Sequence, residues 1–333
     1  MVLGVGAGLP VAPGAGSVFA IPVARAYAWA MKCPRLGCAS VLLLASISCG
    51  GGGGGGSGGG GGEPPSPGPP VAITSANAQA VASAVWLGHA VSTADEILPQ
   101  QVRDVLDDYF LLLAYRPNTL PIDLACGTSG AVTVDGALAD AAHPGMSAGD
   151  RATALYRSCL QSHESAFPDL ADGTLVVEVT SSTSEARTLS VGLESLKVGV
   201  SPALLLSEVG QATITLSNDG SSASLATDLL TATGGGQALI LEDYRQSLVP
   251  GDTGSLLSFR GTQSGGDIDG SVTFDTSTPF HRPASGYPDA GELVITGAAG
   301  SSVAVQAQPD AVHLLLVVNG GAPIEITWDA LEE

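Results

Sequence analysis

Residues 173–200 read GTLVVEVTSSTSEARTLSVGLESLKVGV, and the period of this stretch decides the fold. Apolar and polar residues alternate, or run apolar, over strand lengths on either side of a Ser/Thr-rich break, which is the pattern of strands joined by a turn. The same texture recurs from about residue 122 onward in GAVTVDG, GQATITLSN, ASLATDLLTA, QALILEDY, DIDGSVTFDT, GELVITG, SVAVQAQ and VHLLLVV. Turn residues separate these segments at regular spacing, among them Asn218-Asp219-Gly220 and Asn319-Gly320-Gly321. Thr, Val and Ser dominate and no long helical pattern intervenes. The fold class is therefore mainly β, with about ten or more antiparallel strands forming a sandwich or a curved β-meander with some barrel character.

An N-terminal helical segment precedes the strands. SANAQAVASAVWLGHA, residues 75–90, sets Val81, Val85 and His89 on one stripe with Ala82 and Trp86 beside it, and Ser75 stands where a cap belongs. Leu98, Val102, Val105, Leu106, Tyr109, Phe110 and Leu113 then recur at steps of three and four, with Arg103, Asp104, Asp107 and Asp108 on the opposite face. Pro117 stops the pattern. The polar face is acidic where interfacial membrane helices are basic, so this helix is expected to pack on protein.

Charge removes whole classes of function. The chain of 333 residues has a formal charge of −20, and all 32 acidic residues follow residue 48 while Arg25, Lys32 and Arg35 precede it. The remainder carries 9 − 32 = −23, which repels nucleic acid and anionic headgroups alike. No nucleic-acid partner is expected. A transmembrane barrel is disfavoured too, because the strands lack aromatic girdles.

The first 70 residues read as an address. From Met31 the chain runs MKCPRLGCASVLLLASISC, with Lys32 and Arg35 as a positive n-region and Ala39 to Ile47 as an apolar core too short to span a bilayer. Small residues then precede Cys49. This segment resembles the bacterial lipoprotein signal, in which a small residue precedes a cysteine that is acylated and becomes the mature N-terminus. Ser48-Cys49 fits that lipobox and Ile47 is compatible, while Ser46 stands where the family usually has leucine. The resemblance implies lipidation at Cys49, the lipoprotein processing and sorting machinery as partners, and membrane lipid as the anchor. Gly50, in place of an inner-membrane-retaining aspartate, implies an outer-membrane location with the domain on the periplasmic face or the cell surface.

Residues 1–30 form a poor n-region, which makes Met31 the expected start; the rival is a longer signal cut after Ala28-Trp29-Ala30. After Cys49, twelve glycines broken by one serine and then EPPSPGPP make a flexible coil of roughly 20 Å reach followed by a stiffer spacer. The expected organisation is thus an extension and signal over 1–48, a lipidated cysteine and tether over 49–70, a helical segment over 71–121, and a β-rich domain over 122–333.

Cys33 and Cys38 fall in the signal and Cys49 goes to lipid, leaving Cys126 and Cys159 as an even pair in an exported domain. They are expected to form a disulfide, with two free buried thiols as the alternative. The stretch between them, CGTSGAVTVDGALADAAHPGMSAGDRATALYRSC, and the C-terminal GELVITGAAGSSVAVQAQ, VHLLLVV and ITWDAL resemble the cysteine-bounded strands and closing hairpins of uncharacterised β-rich proteobacterial envelope lipoproteins. That resemblance implies no activity.

Several motifs point to chemistry and have plainer readings. GDTGS, with Asp252, and FDTSTPF, with Asp275, echo the paired carboxylates of aspartic proteases, yet Asp252 follows Pro250-Gly251 and reads as a turn residue. Asp135, Asp140 and Asp150 surround AHPGMSAGD, but an EF-hand register from Asp140 would place Ala142, Pro144 and Arg151 at ligand positions. Asp267 and Asp269 form a second acidic turn. His313 alternates within an apolar strand as a core or edge residue, and His281-Arg282 is a loop pair able to bind an anion. No catalytic residue, metal ligand or cofactor is assigned. The expectation is a non-enzymatic binding or structural module of the cell envelope; the alternatives are a hydrolase using carboxylates on β-loops and a periplasmic binder of apolar ligands.

Overall fold

A computed structural model describes residues 68–93, 100–161, 169–201, 204–234, 237–283 and 286–332. The signal-like segment, Cys49, nearly all of the Gly/Pro-rich tether and Leu98 lie outside these residues.

Strands β1 (Ile122–Ala125), β2 (Ser129–Ala137), β3 (Arg151–Gln161), β4 (Asp169–Ser182), β5 (Ala186–Ser201), β6 (Leu204–Ser217) and β7 (Ala223–Gly234) make the first half of the fold. The second half comprises β8 (Gln237–Pro250), β9 (Gly254–Gly265), β10 (Ile268–Pro283), β11 (Ala290–Thr296), β12 (Ser302–Ala307), β13 (His313–Val318) and β14 (Pro323–Thr327). Each strand pairs antiparallel with the next in sequence, giving one 14-stranded meander without a crossover. Of the two expected architectures, the meander is the one formed.

Helix α1 (Ala78–Thr93) begins where Asn77 closes the preceding turn: its Oδ1 accepts the Thr74 N–H at 2.7 Å, and the Ala78 N–H donates to Thr74 O at 2.9 Å. The start therefore falls after Ser75 rather than on it. Short α2 (Gln100–Asp104) runs through one π-helical turn (Val105–Tyr109) into α3 (Phe110–Tyr115), which ends just before Pro117. Trp328–Glu332, expected to belong to a closing hairpin, forms a terminal helix, α4.

One face of the sheet and all the helices share a single core. Val81, Val85 and Trp86 of α1, then Val105, Phe110 and Leu113, pack with inward residues running from Val132 of β2 to Leu316 of β13. Gln263 of β9 is buried beneath α1 and donates from Nε2 to Ala84 O at 3.0 Å. The outer face instead exposes Asp123, Arg157, Asp228, Arg260 and Asp275. No helix among the described residues is long and apolar enough to cross a membrane.

The sheet curves because its strands carry bulges in a row. In β3 the buried positions Ala152, Ala154 and Tyr156 give way to Cys159, a change of parity across Ser158. In β5, Leu189, Val191 and Leu193 give way to Leu196 across Ser195, and in β8 Leu239 and Leu241 give way to Tyr244 across Asp243. Ser158, Ser195 and Asp243 all adopt positive φ, near 50°. Gly173 of β4, at φ 104°, lies against Ser195 so closely that a Cβ would stand 2.2 Å from the Ser195 carbonyl oxygen. Only glycine fits there. Bulges bend a strand and increase its twist, so aligned bulges coil a wide sheet around the helices on its face.

The lead-in segment, residues 68–73, is clamped at the end of the sheet where β10 begins and β11 ends. Val71 N–H donates to Ser271 O at 2.9 Å, Ser271 N–H to Pro69 O at 3.0 Å, and Ala298 N–H to Val71 O at 2.7 Å. Ser301 Oγ accepts the Ile73 N–H at 2.8 Å, and Asn319 Nδ2 donates to Ile73 O at 3.2 Å.

Cys126 and Cys159 are bonded, with Cα atoms 5.4 Å apart, tying the end of β1 across β2 to β3. The bond closes a loop of about 34 residues, and chain entropy puts its contribution near 3.8 kcal/mol. Reduction, or the Cys126→Ser/Cys159→Ser pair, is expected to lower the unfolding free energy by that order and the denaturation midpoint with it. An unchanged midpoint in urea titrations with and without reductant would refute this role.

Candidate functional site

The acidic loop between β2 and β3 is organised from within. Asp150 is fully buried, and its carboxylate accepts the N–H groups of Ala139 at 2.7 Å and Ser147 at 3.1 Å. Asp135 accepts the Gly136 N–H, and Asp140 accepts the Ala142 N–H at 2.9 Å while meeting His143 Nδ1 at 2.8 Å. The bond to His143 and then that to Ala142 hold the Asp140 carboxyl below its ordinary range. Asp135 thus stands on β2 and bonds its own chain neighbour, while Asp140 and Asp150 organise the loop that follows. Among the described residues, no group of three or more His, Cys, Asp or Glu is placed to hold a metal ion. Asp150→Ala should cost on the order of 2–3 kcal/mol, since it strands buried N–H donors; guanidinium unfolding would measure it, and a loss under about 0.5 kcal/mol, as at ordinary surface sites, would contradict it.

His313 opens β13 and is half exposed rather than a core residue. Its Nδ1 meets Asp310 Oδ2 at 2.6 Å, and the Asp310 Oδ1 accepts the N–H groups of Val312 and His313. The hydrogen bond to Asp310 raises the imidazole pKa above its usual 6.5, and the same bond heads the causes that bring Asp310 down to about 2. The histidine's contribution is complete below pH 6.5 and fades as pH rises through its raised midpoint. The aspartate's contribution fades as pH falls through about 2. NMR titration should give His313 a midpoint above 6.5 that drops back in Asp310→Asn; an equal midpoint in both proteins would refute the pairing.

Asp252 and Asp275 do not meet. Asp252 is exposed in the β8–β9 turn, beside the end of β10 where Gly254 pairs with Pro283. Asp275 lies eight residues back along β10, about 25 Å away at strand rise. It lines a shallow hollow of about 370 Å³ with Asp243, Arg245, Arg260, Gly261 and Phe274, where two guanidinium groups accompany the two carboxylates. Asp267 and Asp269 are exposed at the β9–β10 turn. A second hollow, about 500 Å³, lies between α3 and β1 around Tyr115, Arg116 and Asn118.

The arrangement with chemical character centres on Thr253, the residue after Asp252. Gly251 N–H donates to Gly254 O at 2.9 Å, closing the hairpin tip, and pairing of Ser255 with Arg282 sets that tip beside β10. Thr253 Oγ1 lies 3.1 Å from His281 Nε2, and His281 Nδ1 lies 2.5 Å from Asp289 Oδ1. A carboxylate only accepts, so in the neutral imidazole Nδ1 carries the ring proton and Nε2 accepts from the threonine hydroxyl. The His281 and Asp289 side chains are 21% and 31% exposed, and Thr253 is open to water. This is the hydroxyl–imidazole–carboxylate order of nucleophilic catalysis. Sequence reasoning reached His281 and the Asp-Thr-Gly turn separately. The signal it passed over was the hydroxyl within that turn.

No family model, no curated protein and no solved structure matches this chain.

Proposed function

We propose that this protein is a lipid-anchored cell-envelope protein whose folded part serves as a binding or structural module, held at the outer membrane through acylated Cys49. The observation that carries the reading is the Cys126–Cys159 bond, because disulfides persist in oxidising compartments outside the cytoplasm. The lipobox resemblance of Ser48-Cys49 adds the anchor, and the clamp on residues 68–73 ties the spacer side of the chain firmly to the folded domain. The test is intact-mass analysis of protein from the membrane fraction beside a Cys49→Ala variant. A chain beginning at an acylated Cys49, with the acyl mass lost in the variant, supports the reading; a chain cut after Ala30, or soluble and unmodified, overturns it.

A second reading, a hydrolase, is favoured by one observation: Thr253, His281 and Asp289 form a continuous relay at the tip of the β8–β9 hairpin. This differs from the carboxylate pair expected from the sequence, because the nucleophile would be a hydroxyl.

A further inference from the structure

We infer that Thr253 is the acyl-accepting nucleophile of an esterase-type centre acting on carboxylic esters, an inference that rests on the hydrolase reading above. Three features of the hairpin tip support it. The relay has the polarity that activates a hydroxyl, with Nε2 facing Thr253 Oγ1 and Nδ1 held by Asp289. The amide N–H groups of Asp252 and Thr253 lie outside the strands and have no acceptor among the described residues. They are free to receive an oxyanion, and the N–H of the nucleophile itself is a common donor to that position. Finally, Thr253 is exposed at the hairpin tip, so an ester can reach Oγ1 from solvent.

The chemistry balances without any further reagent. Thr253 Oγ1 attacks the ester carbonyl as its proton passes to His281 Nε2, and the tetrahedral oxyanion faces the tip amides. Collapse breaks the carbon–oxygen bond to the alcohol, which leaves with the proton from Nε2. Water then gives a proton to Nε2 and attacks the acyl-threonine, and collapse releases the carboxylic acid while Thr253 recovers its hydrogen from Nε2. Asp289 is a positioning residue here, fixing the tautomer and the ring plane.

The test follows hydrolysis of p-nitrophenyl acetate by the purified full chain, with acid-quenched mass spectrometry of the tip peptide for an acetyl adduct. Thr253→Ala and His281→Ala should each lower the rate by on the order of 10²-fold or more. Thr253→Ser should keep the activity and also carry the adduct, which separates loss of the nucleophile from loss of folding. Hydrolysis that depends on His281 but survives in Thr253→Ala, without adduct, would overturn the nucleophile assignment and leave a histidine-activated water, so the hydrolase reading would stand. No hydrolysis above that of His281→Ala would overturn both.

Discussion

Trp86→Ala is expected to lower the unfolding free energy by about 3–5 kcal/mol, the range for deleting a large aromatic from a packed core. Trp86 is 7% exposed, and its ring packs against the terminal helix and against two neighbouring strands of the sheet. It lies 4.7 Å from Trp328 of α4, 5.4 Å from Phe280 of β10 in an edge-on arrangement, and 6.0 Å from Phe259 of β9. Phe280 in turn meets Trp328, and Tyr287 stacks on Trp328 at 5.8 Å. Aromatics are only 5% of the chain, yet these gather where α1, α4 and the sheet converge. Truncation removes the contact area and leaves a cavity the rigid sheet cannot collapse to fill. Tyr115→Ala, at a side chain 77% exposed, should fall within about 0.5 kcal/mol of the parent. Denaturant titration of the two variants decides the matter, and equal midpoints would mean that α1 is not held through this cluster.

Gly297→Val should be worse, costing more than about 4 kcal/mol or expelling the lead-in segment outright. A Cβ at position 297 would stand 2.0 Å from Val71 O and 3.0 Å from Ile73 Cγ1. The first obstacle is backbone and cannot rotate away. Relief requires residues 71–73 to withdraw, which breaks the bonds to Ser271, Ala298 and Ser301 and uncovers buried Ile73. Gly300→Ala is the comparison. Gly300 has a positive φ of 74° but nothing within 4 Å of its would-be Cβ, so only local strain of roughly 1 kcal/mol is at stake. Hydrogen exchange at the Val71 and Ile73 amides, with limited proteolysis near residue 70, would separate the two; protection unchanged in Gly297→Val would refute the clamp.

How much of this was legible in the sequence follows from which constraints are local. The alternation in β4, β5 and β12 and the helical stripe through Val102, Val105, Tyr109, Phe110 and Leu113 are local, and each turns up buried where expected. The cysteine pair could be named because compartment and parity left few alternatives. Strands β1, β3, β9 and β14 were not read as such. Two of them are only four or five residues long, and β3 changes its buried parity at Ser158. A bulge breaks a two-residue period in the middle of a continuous strand, so β5 and β8 each present two short patterns of opposite phase. The relay was beyond sequence reasoning for another reason. Thr253 is separated from His281 by 28 residues, and only the pairing of β9 with β10 brings them together.

The strand lengths carry a consequence for life at high local concentration. The sheet is widest in its middle, with strands of up to 16 residues, and tapers to four residues at β1 and five at β14. Those outermost strands are where a foreign chain could add itself and begin a fibril. At one rim the template is stapled through Cys126; at the other it starts on a proline, which offers no N–H, and runs straight into a helix. A sheet whose two outermost strands are short and blocked in these ways is a poor template for growth into a ribbon.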